Sequence, residues 1–144
     1  MQIDETDRAL IALLSADARA PVADLARRLG LARTTVQARI DRLLDRGVIA
    51  GFTLRRGNAL RAPVRATAMV TIEPRAQADV LSRLKALPAV ETVHTTSGRV
   101  DLLVILSAAS TEELDATLDR IAEARGVRSS ESLIHLSTKL DRRS

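Results

Sequence analysis

The residue pattern predicts an α+β chain in two parts. Three helices come first, the second and third meeting at a tight turn. A βαββαβ unit with a four-stranded antiparallel sheet follows. Two observations carry this. Up to about Gly47 the apolar residues recur at helical spacing, whereas from Val64 onward alternating, strand-like segments interleave with helical stripes. The order of that second half is the split βαβ, or ferredoxin-like, arrangement, which places both helices on one face of the sheet.

The first helix starts at Asp4-Glu5-Thr6-Asp7, where Asp4 can cap free amides and the acidic first turn suits the helix dipole. Leu10, Ile11 and Leu14 form its stripe, and Ala18–Pro21 breaks it. Pro21 suits the first position of the second helix, which carries Val22, Leu25, Ala26 and Leu29 and stops at Gly30. Ala26, Gly30 and Val36 have the spacing of two helices crossing through a short turn: a small residue where they approach, a glycine for positive φ, and a branched plug. Ile40, Leu43 and Leu44 continue the buried stripe of the third helix. Thr34, Ala38, Asp41, Arg42 and Asp45 fall on its far side, with Thr35 and Arg39 flanking. After Gly47, Val48–Leu54 is expected to form a short strand, completing a winged helix-turn-helix. An ordinary αα-hairpin is the alternative for the same stripes.

Residues 55–63 hold Gly57, Asn58 and Pro63, show no periodicity and read as a linker. The expected domains are therefore 1–54, a linker over 55–63, and 64–144. Val64, Ala66, Ala68, Val70 and Ile72 alternate with polar residues along a strand that Pro74 ends. Val80, Leu81, Leu84 and Leu87 make a helix closed by Pro88. Val90–Ser97 is a weaker strand, followed by a turn at Gly98 and a strand over Asp101–Ser107. Leu102–Leu106 is apolar on both faces, so both are expected to be covered, the second by another copy of the chain: a homodimer through the sheets. Ser110-Thr111-Glu112-Glu113 is a capping box before the helix of Leu114, Leu118 and Ile121, which Gly126 ends. Ser132, Ile134, Leu136, Thr138 and Leu140 alternate along a final strand.

Composition narrows the function. The chain has 144 residues, 46% of them apolar and 28% charged, as in a globular protein rather than a disordered one. No apolar run approaches the ~20 residues that span a bilayer. The opening MQIDETDRAL lacks the layout of a signal peptide. Without cysteine, disulfides, thiolate nucleophiles and Cys-ligated zinc are excluded, and His94 and His135 are too few and too distant in sequence for a metal centre. A cytoplasmic protein without cofactor is expected. No Walker A, GxGxxG, HExxH or GxSxG pattern marks an enzyme. Residues 1–62 carry 11 basic against 7 acidic side chains and residues 63–144 carry 11 against 11, so the net charge of +4 lies wholly in the first part. A local positive excess of this kind is the footprint expected for contact with DNA phosphates; a solvated helix face is the alternative.

The chain resembles the Lrp/AsnC, or feast/famine, family of transcription regulators over nearly its whole length. The residues that carry the resemblance are Ile3–Arg8, Asp24–Leu31, Val36–Leu43, Gly47–Phe52, Ser97–Leu103 and Gly126-Val127. It implies a second domain of the family's RAM type, dimers that assemble into octamers, DNA wrapping or bending, and control by an amino acid bound near the Gly-x-x-Asp turn. Carried onto this chain, it makes Arg33, Thr34, Thr35, Ala38, Arg39 and Arg42 DNA-facing and Gly98 and Asp101 effector-facing. Arg99 lies between these two, and Ser130 and Ser132 stand near that pocket. Three departures are plain: Pro21 and Ala32 replace frequent serine caps, and Arg99-Val100 replaces an acidic or polar residue followed by an aromatic one.

The chemistry of these residues agrees in part. Arg33 and Gln37 can hydrogen-bond guanine and adenine edges, Thr34 and Thr35 can meet bases or phosphates, and Ala38 can touch a thymine methyl. Arg39 and Arg42, a turn further on, suit phosphates, and Arg39 can instead pair with Asp45 or with the first helix. Asp101 can either accept from an α-ammonium or cap its own turn. The reading is a sequence-specific regulator, with an architectural DNA-wrapping protein of low specificity as the alternative.

Overall fold

The computed structural model describes residues 3–55 and 63–141, which fall into two compact units, one from each stretch. The linker expected over 55–63 lies outside the described residues apart from its ends, Arg55 and Pro63.

The first unit holds α1 (Glu5–Ala16), α2 (Val22–Leu29) and α3 (Arg33–Asp45). Asp4 caps α1, its Oδ1 accepting from the Asp7 amide at 2.7 Å while the Asp7 carboxylate accepts in return from the Asp4 amide. Pro21 occupies the cap position of α2, one residue earlier than expected. Neither Pro21 nor Ala32, the cap of α3, makes a side-chain capping bond. Gly30 ends α2 in the left-handed region at φ +66°, which frees the chain to turn into α3. Leu10, Leu14, Leu25, Ala26, Val36, Ile40 and Leu43 form the core between the helices. The expected wing is not formed: residues 50–55 carry no strand, and the backbone bonds after α3 stop with Val48 and Ile49 donating to Leu43. A strand needs a ladder partner, and none of the described residues of this unit supplies one.

The second unit is β1 (Val64–Ile72), α4 (Gln77–Lys85), β2 (Val90–Thr95), β3 (Leu102–Ala108), α5 (Thr111–Ala122) and β4 (Val127–Ile134). The strands run β2-β3-β1-β4 across the sheet, every pair antiparallel. The register sets Ala66 against Leu106, Ala68 against Val104 and Val70 against Leu102. These six are fully buried with Val80 and Leu84 of α4 and Leu114 and Ile121 of α5, so both helices cover the same face. Ser110 caps α5 by accepting from the Glu113 amide, while Glu113 reaches back to the amide of Ala109.

The opposite face, with Thr67, Met69, Leu103, Ile105 and Leu133, is only half-buried or exposed within the chain. The final strand also departs from expectation. It begins at Val127 and ends at Ile134, because β1 starts at Val64 and supplies no rungs beyond the bond from the His135 amide to Arg65. Leu136 and Leu140 are consequently exposed.

Gly126 joins α5 to β4 at φ +95°, and a Cβ built there would stand 2.6 Å from the Cβ of Ala76. Gly126→Ala is expected to cost about 1–3 kcal/mol in urea denaturation. Adding Ala76→Gly should recover the part that comes from the collision and leave the part that comes from the dihedral.

Candidate nucleic-acid interface

Helix α3 buries Val36, Ile40 and Leu43, and this rotation turns Arg33, Thr34, Thr35, Gln37, Ala38 and Asp41 to solvent. Five of the seven residues expected to face DNA therefore share one exposed surface of the helix. Gln37 is tied along the helix, its Nε2 donating to Asp41 Oδ1 at 2.8 Å. Arg33 makes no hydrogen bond or ion pair among the described residues, which leaves its guanidinium available.

Arg39 and Arg42 are engaged differently. Arg39 Nη1 donates to Asp4 Oδ2 and to Asp7 Oδ1, both at 2.7 Å. Arg42 Nη2 reaches both oxygens of Asp7, at 3.1 and 3.0 Å. Without DNA both arginines are fastened to the start of α1, the alternative the sequence left open for Arg39, while the Arg42 side chain stays 43% exposed. Asp45 is not the partner of Arg39. The cause is the Asp7 carboxylate, which is 1% exposed and would be an uncompensated buried charge without cations beside it. A signal for this exists in the sequence. Ile3, Asp7, Leu10 and Leu14 are spaced by four, three and four, which puts Asp7 on the apolar stripe of α1. The Arg39 guanidinium, aided by the Asp7 amide, holds the Asp4 carboxyl below its ordinary range, and Asp4, then Asp7, raise Arg39 in turn.

The expected effector turn lies in the second unit. The turn is closed by the Thr96 amide donating to Asp101 O at 3.0 Å and by the Thr96 hydroxyl donating to Val100 O at 2.6 Å. The Asp101 amide donates to Val70 O, and its carboxylate Oδ2 accepts from the Ile72 amide at 2.9 Å. The amide that Asp101 accepts from belongs to the end of β1 and not to its own turn, so the expected capping of the turn is not what its carboxylate does. Arg99 and Asp101 both line a shallow pocket of about 400 Å³ together with Glu73, Arg75, Gln77 and Arg128. Gly98, Ser130 and Ser132 are not among its walls; the two serines, on β4, pair with Val70 and Ala68 of β1. Sequence reasoning missed Glu73, Arg75 and Arg128. Their convergence follows from the pairing of Ile72 with Val127, a contact between segments more than fifty residues apart.

Residues 3–44 match the AsnC-type helix-turn-helix domain, and residues 65–144 match the Lrp/AsnC ligand-binding domain. The chain belongs to the Lrp/AsnC family. Its relatives include the HTH-type transcriptional regulator LrpA of Mycobacterium tuberculosis, 33% identical over 137 residues, which span 92% of this chain and 89% of that one. Another is the HTH-type transcriptional regulator LysM of Saccharolobus solfataricus, 31% identical over 94% of this chain and 95% of that one. Among solved structures, the feast or famine regulatory protein of M. tuberculosis complexed with L-methionine superposes with a TM-score of 0.86 at 32% identity, covering 99% of this chain and 98% of that one. This Lrp/AsnC chain is accordingly a transcriptional regulator with a DNA-binding helix-turn-helix and a ligand-binding domain, and its relatives are regulators rather than enzymes. Among the described residues, no helix is long and apolar enough to cross a membrane.

Asp7→Asn is expected to destabilise the first unit by about 2–3 kcal/mol, less than a fully buried pair because both arginines keep partial access to water. Differential scanning calorimetry checks it. Since the folded Asp4 carboxyl titrates below its ordinary value of 3.8, its contribution is in place above that pH and is lost as pH falls through the folded value. Asp4→Asn should lower the unit's stability at neutral pH, where that contribution is in place, and flatten the acid limb, bringing variant and parent together at low pH.

Proposed function

We propose that this chain is a sequence-specific DNA-binding regulator that works as a dimer or a higher assembly up to an octamer, at the nucleoid in the cytoplasm, under the influence of an amino acid or other small effector. The observation that carries the reading is the exposed surface of α3, with Arg33, Thr34, Thr35, Gln37 and Ala38 on one side and the buried stripe on the other. Laid in the major groove, Arg33 reaches a guanine edge, and Gln37 reaches an adenine edge once its bond to Asp41 is exchanged for the base. Thr34, Thr35 and Ala38 supply short contacts to phosphate, base or thymine methyl. One helix with so few long donors reads few base pairs, so specificity comes from two copies held at a fixed half-site spacing. The half-buried sheet face around Met69, Leu103, Ile105 and Leu133 supports pairing of copies through the second unit. The likeness to a regulator solved with L-methionine supports the effector, and the pocket at Arg99 and Asp101 is where we place it.

The Gln37–Asp41 bond favours a second reading, an architectural protein that wraps DNA with little regard to sequence, because it leaves Arg33 as the one long unengaged donor on this surface among the described residues. Selection of bound sites from random DNA, followed by competition, separates the two. A specific regulator should hold its selected site against random DNA by about 10³-fold or more, and a wrapper should not. Arg33→Ala should relax the preference at one or two base positions, by about 1–3 kcal/mol of discrimination. Arg39→Ala should act chiefly on folding stability, with the salt dependence of binding unchanged.

A further inference from the structure

We propose that the pocket beside the β2–β3 turn selects a small dicarboxylate rather than a neutral amino acid. This rests on the effector reading above and sharpens it to a ligand class. Three permanent cations converge there from three separate segments: Arg75 after β1, Arg99 in the turn, and Arg128 on β4. Of the two carboxylates in the same walls, one is ion-paired and the other is tied to the backbone through one oxygen. Glu73 Oε1 lies 3.4 Å from Arg128 Nε, and Asp101 Oδ2 accepts from the Ile72 amide. Arg75 and Arg99 have no ion-pair partner among the described residues, and three arginines against two carboxylates leave the walls with one excess positive charge.

That balance disfavours an ammonium group and favours anions. The one carboxylate placed to receive an α-ammonium already shares an oxygen with the backbone, and Arg99 stands two residues away along the same turn. Two unpaired guanidiniums, each a planar fork that grips a carboxylate through two parallel bonds, match a ligand with two acidic ends. A volume of about 400 Å³ suits a small metabolite.

The backbone adds an independent sign. Arg75 sits at φ +68°, the one non-glycine residue with positive φ among those described. Such a conformation costs an L-residue free energy, and it persists where the surroundings fix it. Here they do: the Glu73 amide donates to Gly126 O at 2.7 Å and the Ala76 amide donates to Glu73 O at 3.1 Å, clamping the turn on both sides of Arg75. Glycine would occupy this turn without strain, yet the position carries a guanidinium that lines the pocket.

Titration calorimetry on the full chain with glutarate, L-glutamate, L-methionine and inorganic phosphate tests the assignment. Glutarate and L-glutamate should bind, and Arg99→Ala should weaken both by about tenfold. Arg75→Gly should weaken them similarly while raising the melting temperature of the ligand-free protein, a pairing that loss of fold cannot produce. Binding of L-methionine that survives Arg99→Ala, with no response to glutarate, overturns the dicarboxylate and leaves the effector reading standing. Phosphate binding as tight as glutarate also overturns it. Silence to all four overturns this proposal and, once extended through the remaining amino acids, the amino-acid effector with it.

Discussion

A carboxylate held away from water sets the geometry on which the first unit depends. Asp7 lies on the apolar stripe of α1, where its charge must be met by cations or the helix cannot pack. Arg39 and Arg42 meet it from α3, and Asp4 completes the cluster by binding Arg39 and capping α1 at once. Apolar burial among Leu10, Leu25, Val36 and Leu43 provides most of the driving force, but it is not directional. Charge-assisted bonds at 2.7–3.1 Å are directional, and they hold α3 to α1 in the rotation that its buried stripe sets. The exposed surface of Arg33, Thr34, Gln37 and Ala38 is held in place with it.

This clasp changes the electrostatic account of the DNA-facing surface. Six arginines against two aspartates in Arg27–Arg46 suggest a strongly attractive stripe. Two of the six are consumed by Asp7 and Asp4, and Arg27 pairs with Asp24 at 2.7 Å. A paired guanidinium releases fewer counterions on meeting a phosphate. Affinity then has to come from the number of helices engaged rather than from the charge of one, which is the physical case for an assembled regulator.

In the second unit the small side chains of Ala66 and Ala68 let α5 lie close over the centre of the sheet, and the large residues Leu102, Val104 and Leu106 fill the core they share with Val80 and Leu84 of α4. The same pairings carry the loop after β1 alongside the start of β4 and the β2–β3 turn. The pocket with its three arginines is therefore a by-product of sheet register, and its positive sign follows from three arginines standing against two carboxylates in its walls.

The sequence by itself determined the order and type of the elements, because helical stripes, the period-two run of Val64–Ile72, the caps at Asp4 and Ser110, and the break at Gly30 are local signals. It also determined which residues of α3 are turned outward, since the stripe of Val36, Ile40 and Leu43 settles that within one helix. Tertiary structure alone decided how the charges are spent. Arg39 and Arg42 find their partners 32 to 35 positions away, and Asp101 gives its carboxylate to an amide 29 positions away. It decided, too, that Val48–Leu54 forms no strand and that β4 stops at Ile134, because a strand exists only where another chain segment offers it hydrogen bonds. Propensity is a property of neighbours in sequence, whereas pairing is a property of neighbours in space.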